Sequence, residues 1–189
     1  MHRIIAFSAL LLTATPAVAD GFCDEAWFIR NLIVDRAGYC FGSALGQSVF
    51  DNSGCTGKDV SLSPASARTV AMIRDQEAWM GCAVDTAGNR LDVPHRPLLE
   101  RLEVLPVPTD TASGCIGWRG GSIPLLAAPR EDAPVVGLGE TGMNVVWEYD
   151  YVGVADGWQF LTLYRDSARV GMGWSITPIH EDLCTTLAG

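Results

Sequence analysis

Six cysteines are the residues of this chain with the most chemistry to offer: Cys23, Cys40, Cys55, Cys82, Cys115 and Cys184. No two are separated by only two residues, so neither a dithiol redox motif nor a zinc knuckle is indicated. An even number of cysteines in an exported chain points instead to a disulfide framework. Six cysteines allow many pairings, and spacing does not choose among them. Locality favours Cys40 with Cys55, Cys23 with Cys82, and Cys115 with Cys184, each bridge adding about 2–4 kcal/mol to cores expected to be small.

The other catalytic ingredients are sparse. His95 sits among prolines and His180 lies beside Glu181 and Asp182; both are expected at the surface, and, apart from His2 near the start, they are the only histidines, too few for most zinc sites. The sequence has no Gly-x-Ser-x-Gly elbow, no His-Glu-x-x-His pair and no phosphate loop. Gly117-Trp118-Arg119-Gly120-Gly121 is glycine-rich, but it does not join a strand to a helix as phosphate cradles do. The acidic pairs Asp24-Glu25, Glu131-Asp132 and Glu181-Asp182 are sequence neighbours, whereas glycosidase carboxylates face each other across a cleft; solvated surface is expected of all three. No catalytic residue, metal ligand or cofactor is therefore assigned, and the protein is expected not to be an enzyme. A hydrolase would require a free cysteine or a His–carboxylate pair in a cleft.

Aromatic residues offer binding chemistry. Tyr149, Tyr151, Tyr164, Trp158 and Trp174 fall close together in the second half. Such rings bury a large area and keep a polar handle, which suits peptide or sugar grooves. Tyr149 and Tyr151 share a strand face by their alternation, and Asp156 lies on the loop just beyond. Tyr149, Tyr151, Asp156 and Trp158 are thus the candidate ligand-binding residues, although Trp158 and Trp174 are expected chiefly as core. Arg36 could meet an anion, but a structural salt bridge is the favoured role.

These side chains must be positioned by two regions of different period. Met1-His2-Arg3, the apolar run Ile4–Leu12 and the exit Ala17-Val18-Ala19 form a cleavable export signal over residues 1–19. The apolar run is shorter than the roughly 20 residues that span a bilayer, and no membrane insertion is expected after cleavage. Residues 20–83 are expected to be helical. Phe28, Ile29, Leu32 and Ile33 recur at helical spacing, Asp24 could cap that helix, and Gly38 could end it in a left-handed conformation. Ser63-Pro64 starts a further helix. Trp27, Phe28, Phe41 and Phe50 are expected in the core. Residues 84–113, with Pro94, Pro97, Pro106 and Pro108, read as a linker with a short helical piece near Leu98–Leu102. Residues 114–189 carry five short strand patterns, 123–126, 135–138, 145–151, 158–164 and 171–176, whose number and length suit a small closed barrel. The expected class is α+β, a disulfide-linked helical domain followed by a small β-barrel.

Two resemblances follow from these residues. Arg30 to Phe41, extended through Phe50 and Leu62-Ser63 to Ile73 and Glu77, resembles the YARHG domain over residues 24–80. The five naming positions fall on Val34 to Gly38; Arg36 and Gly38 match, while the tyrosine and histidine are absent, so no role of those two side chains carries over. Pro129, Val135-Val136-Gly137-Leu138, Gly157-Trp158 and Gly173-Trp174-Ser175-Ile176 resemble a bacterial SH3-like domain over residues 120–180. The first resemblance implies an exported bacterial protein, and the second implies binding of cell-wall peptides or protein segments.

Charge narrows the partners. The chain carries −9, and −10 once the leader with Arg3 is removed; Lys58 is its sole lysine. Phosphate polymers and anionic lipid are repelled, so nucleic acid is not an expected partner. The reading is a periplasmic or secreted binding module for a protein segment or a wall-derived peptide. The alternative is an acidic inhibitor or accessory subunit of an exported enzyme.

Overall fold

A computed structural model describes residues 20–189. The export signal read over residues 1–19 lies outside the described residues. Among these residues no helix is long and apolar enough to cross a membrane.

Four helices come first. α1 spans Asp20–Arg36, α2 Ala44–Val49, α3 Pro64–Trp79 and α4 Arg96–Leu99. The amphipathic stripe of α1 faces inward as its spacing predicts, with Phe28 and Ile29 fully buried. Asp24 is not the cap, because α1 begins four residues earlier; its carboxylate instead accepts the Asp92 backbone N–H at 2.8 Å. Gly38 takes φ +90°, and a Cβ there would lie 2.6 Å from Thr56 Oγ1, so both conformation and space require glycine. The Ser63 hydroxyl caps α3 by accepting from the Ser66 N–H, with Pro64 in the first turn. Arg30 forks onto the Glu77 carboxylate at 2.8 and 3.0 Å, tying α1 to α3. Between them Phe28 and Phe41 both stack on Phe50, with ring centroids 5.7 and 4.7 Å apart.

Seven strands follow: β1 Val107–Trp118, β2 Ile123–Leu126, β3 Val135–Gly139, β4 Asn144–Asp150, β5 Gln159–Arg165, β6 Ala168–Ser175 and β7 Cys184–Ala188. Strands β2 to β6 are the five anticipated patterns. β1 was hidden because Pro108 falls in the segment read as a linker and Gly117 in the glycine-rich run, and β7 by its brevity. All pairings are antiparallel, in the order β3-β2-β6-β5-β4-β1-β7. β3 and β7 are the two edges and do not pair, so the sheet is open and the expected closed barrel is not formed. β7 takes the outer edge of β1, so the sheet ends on β7 at one side and on β3 at the other.

The register of β1 slips against β4. Pro108 pairs with Tyr149 and Ser113 with Trp147, so residues 109–112 bulge opposite Glu148 alone. That bulge faces the helices.

All three disulfides join the cysteines that locality favours: Cys23–Cys82, Cys40–Cys55 and Cys115–Cys184. The expectation of two small cores is replaced by one continuous core. Ala26, Phe28 and Ile73 from the helices belong to the same buried cluster as Ile123, Phe160 and Trp174 from the sheet. The proline-rich segment supplies Val93, Leu99, Leu102, Leu105 and Val107 to that cluster, and its end is already β1. Its α4 lies two to three residues earlier than the helical piece expected there.

Candidate binding site

Two places gather polar and aromatic side chains between helices and sheet. The first is a cleft of about 380 Å³, bordered by Ile33 of α1, Ser63 and Ser66 at the start of α3, Val104, Tyr151 and Val154. Trp174 forms part of its floor: the ring is fully buried and its Nε1–H donates to the Val104 carbonyl at 2.8 Å. Tyr151 stands above, 39 % exposed, with its hydroxyl donating to the Trp158 carbonyl at 3.0 Å. A cleft of this size, with apolar walls and a few hydroxyl-bearing side chains at its border, falls in the range of small-ligand or peptide side-chain pockets. Arg36 borders the cleft but is already engaged. Its guanidinium donates to the Leu102 carbonyl at 2.7 Å and the Glu100 carbonyl at 3.1 Å, closing α1 onto the chain after α4. Burial lowers its pKa against the opposing pull of Asp35, Glu100 and Glu103. The role is structural, as favoured, though its partners are carbonyls rather than a carboxylate.

The second place is a buried ionic cluster. Glu25 of α1 receives the Tyr149 hydroxyl, and His95 Nε2 lies 2.9 Å from the same carboxylate oxygen. That contact is at ion-pair distance, but the ring nitrogen is not aligned for a hydrogen bond. Arg169 of β6 donates through Nη1 to the Tyr149 hydroxyl and through Nε to the Tyr164 hydroxyl, each at 3.0 Å, and pairs with Glu148 at 3.0 Å. Tyr164 in turn donates to the Glu148 carboxylate. Burial, with Glu25 adding to it, holds the Tyr149 pKa well above its ordinary value; burial also raises that of Tyr164. Burial works against the Arg169 charge, yet Tyr149, Glu148 and Glu25 outweigh it and push the guanidinium pKa up. A cavity of about 240 Å³ opens beside Glu25, Glu148, Tyr149 and Arg169, under the β1 bulge.

The candidate ligand residues separate between these places. Tyr151 borders the cleft. Tyr149 is 6 % exposed and its hydroxyl belongs to the ionic cluster. Trp158 is buried, in keeping with its expected core role, and Asp156 is exposed on the loop without bordering the cleft. The two tyrosines do share an aromatic row. Tyr149 meets Phe160 edge-on at 5.1 Å, Phe160 meets Trp174 at 5.2 Å, and Trp174 meets Tyr151 at 5.2 Å. Their hydroxyls diverge because β4 ends at Asp150, so Tyr151 already follows the loop.

Three residues have roles their local sequence did not convey. His95, expected at the surface, has a side chain only 14 % exposed, and Glu25, expected as solvated surface, has one 12 % exposed. Arg169 was not singled out at all. Their partners lie on other elements, so no local spacing marks them. His95–Glu25 is the one His–carboxylate contact among the described residues, and His95 borders neither cavity. All six cysteines are paired, so none is available as a nucleophile.

A disulfide-linked helical region joined through one core to an open antiparallel sheet is the class of molecule these features define. The chain belongs to the family described as Domain of unknown function (DUF4453), whose model matches residues 81–189. A second model, the YARHG domain, matches residues 3–78, in agreement with the resemblance read in the helical half. Neither the curated proteins nor the solved structures gave a match.

Proposed function

We propose that the protein is a non-catalytic extracytoplasmic binding module that takes a short extended segment, from a protein or a wall-derived peptide, in the cleft beside Tyr151. The observation that carries this reading is the cleft itself. An amphipathic ring that is about two-fifths exposed stands over apolar walls, with Ser63 and Ser66 hydroxyls at one side. Peptide grooves use aromatic rings in this way because they offer large contact area at little cost in side-chain entropy. The SH3-like reading of the second half enters here, as aromatic recognition of a segment beside a small sheet rather than as a closed barrel. Three disulfides suit an oxidising compartment, where such ligands are met.

The test is an NMR titration of the disulfide-intact protein with a panel of unmodified short peptides and a muropeptide digest. The expected result is saturable shifts at Val104, Tyr151 and Val154, and roughly tenfold weaker binding by Tyr151→Ala, the loss typical of a central aromatic contact. If every probe leaves these resonances unmoved at millimolar concentration, the proposal fails.

A further inference from the structure

The most exposed large apolar side chain among the described residues is Trp79, at 81 %, on the last turn of α3. It is not isolated. Met72, Asp75, Gln76 and Trp79 recur at the spacing of one helix face, and Asp110 from the β1 bulge lies beside them, bordering a wide, open cleft of about 480 Å³. The core side of α3 is a different one, carrying Val70 and Ile73.

Charge decides what fits there. Asp75 and Asp110 have neither an ion-pair partner nor a side-chain hydrogen bond among the described residues, and no basic residue borders the cleft. Several other surface carboxylates are neutralised, Glu100 by Arg96, Glu103 and Asp132 by Arg130 and Glu140 by Arg165, whereas Asp75 and Asp110 share one cleft with an exposed indole. A phosphate or an acidic peptide would be repelled by both aspartates and by the net charge of −9. A wholly apolar partner would bury two carboxylates without compensation. A cation meets both demands, since an indole face is the strongest aromatic partner for one. Guanidinium fits better than ammonium, because it is planar, stacks on the ring, and still presents N–H groups at its edge to the two carboxylates.

We propose that the Met72–Trp79 face of α3, with Asp110, receives an arginine side chain of a polypeptide partner. The idea extends the binding reading to a second contact toward the other end of the same helix, and so names the charge of the partner.

The disulfide-intact protein is titrated with acetyl-Arg-Gly-Arg-amide while the Trp79 indole N–H resonance, assigned through Trp79→Phe, is followed. A saturable shift is expected. Asp75→Asn and Asp110→Asn should each weaken it by roughly two- to fivefold, the range for partly exposed charge pairs, and added salt should weaken it further. These residues are exposed, so unchanged resonances elsewhere will show that the variants stay folded. The lysine version of the peptide should bind more weakly. Three outcomes would overturn the assignment: no saturable shift, an equal response to acetyl-Glu-Gly-Glu-amide or to the lysine peptide, or unchanged affinity in the Asp75→Asn/Asp110→Asn double variant. Resonances of Tyr151 and Val154 are scored separately, so the cleft reading and this one can fail independently.

Discussion

The helical region and the sheet solve the same problem, holding a small interior together, by different means. Residues 38–62 between α1 and α3 contain only a six-residue helix, one short 3-10 turn and a single bridge from Tyr39 to Gly57. Few long-range backbone hydrogen bonds order that stretch, and two of the three disulfides lie in this region. Cys23–Cys82 joins α1 to the chain just after α3, across 59 residues, and Cys40–Cys55 closes a loop of 15. The sheet has a continuous ladder and needs a cross-link only where its ladder ends, so Cys115–Cys184 fastens edge strand β7 to β1. Covalent bonds thus replace backbone pairing where backbone pairing is scarce. The ionic cluster joins the two solutions, since Glu25 belongs to α1 while Tyr149, Glu148 and Arg169 belong to the sheet.

Packing should dominate on the sheet side. Trp174→Ala empties a fully buried site and leaves the Val104 carbonyl without its donor, so a loss of about 3–5 kcal/mol is expected in urea unfolding. A loss below about 1 kcal/mol would show that the sheet is held by its ladder alone.

Covalent constraint should dominate on the helical side. Replacing Cys23 and Cys82 together by serine is expected to cost about 2–4 kcal/mol. Amide exchange should then speed up in α1 and α3 before it does in β5 and β6. Equal acceleration in both regions would remove the contrast drawn between them.

Glu25→Gln tests the joint. Arg169 loses one of its two carboxylates and the Tyr149 hydroxyl loses a charged acceptor, so about 1–3 kcal/mol is expected to go. Calorimetry should show a broader transition, as helices and sheet become less tightly coupled. A sharp, unshifted transition would mean that apolar packing alone couples them.

The smallest effect is a pH dependence. Tyr149 and Tyr164 keep their protons in the folded state beyond the pH at which they ionise in the unfolded chain. Their contribution is therefore complete below about pH 10, the unfolded value, and is lost as pH rises from there through the folded values. While one such group differs between the states, the slope approaches about 1.4 kcal/mol per pH unit. Tyr149→Phe should flatten this alkaline limb, as followed by unfolding at a series of pH values, and an unchanged limb would place the dependence elsewhere.

Local chemistry was enough for much of this molecule. The amphipathic stripe of α1, the Ser63-Pro64 start of α3, the left-handed Gly38 and five strands are written in spacing and in turn residues, because each depends on neighbours within a few positions. The disulfides were legible for a related reason: Cys40–Cys55 closes the shortest loop available, and the other two each bracket one half of the chain. Three features were decided only by tertiary structure. The sheet ends on β7, which takes the outer edge of β1 from some seventy residues away, a pairing that no local spacing predicts. The β1 bulge sets Asp110 across from Trp79, although nothing near either residue predicts the other. Burial of Glu25 follows from partners on β4 and β6, and that of His95 from Glu25 on α1; a carboxylate can enter a core only where distant elements deliver its counter-charge and hydrogen bonds.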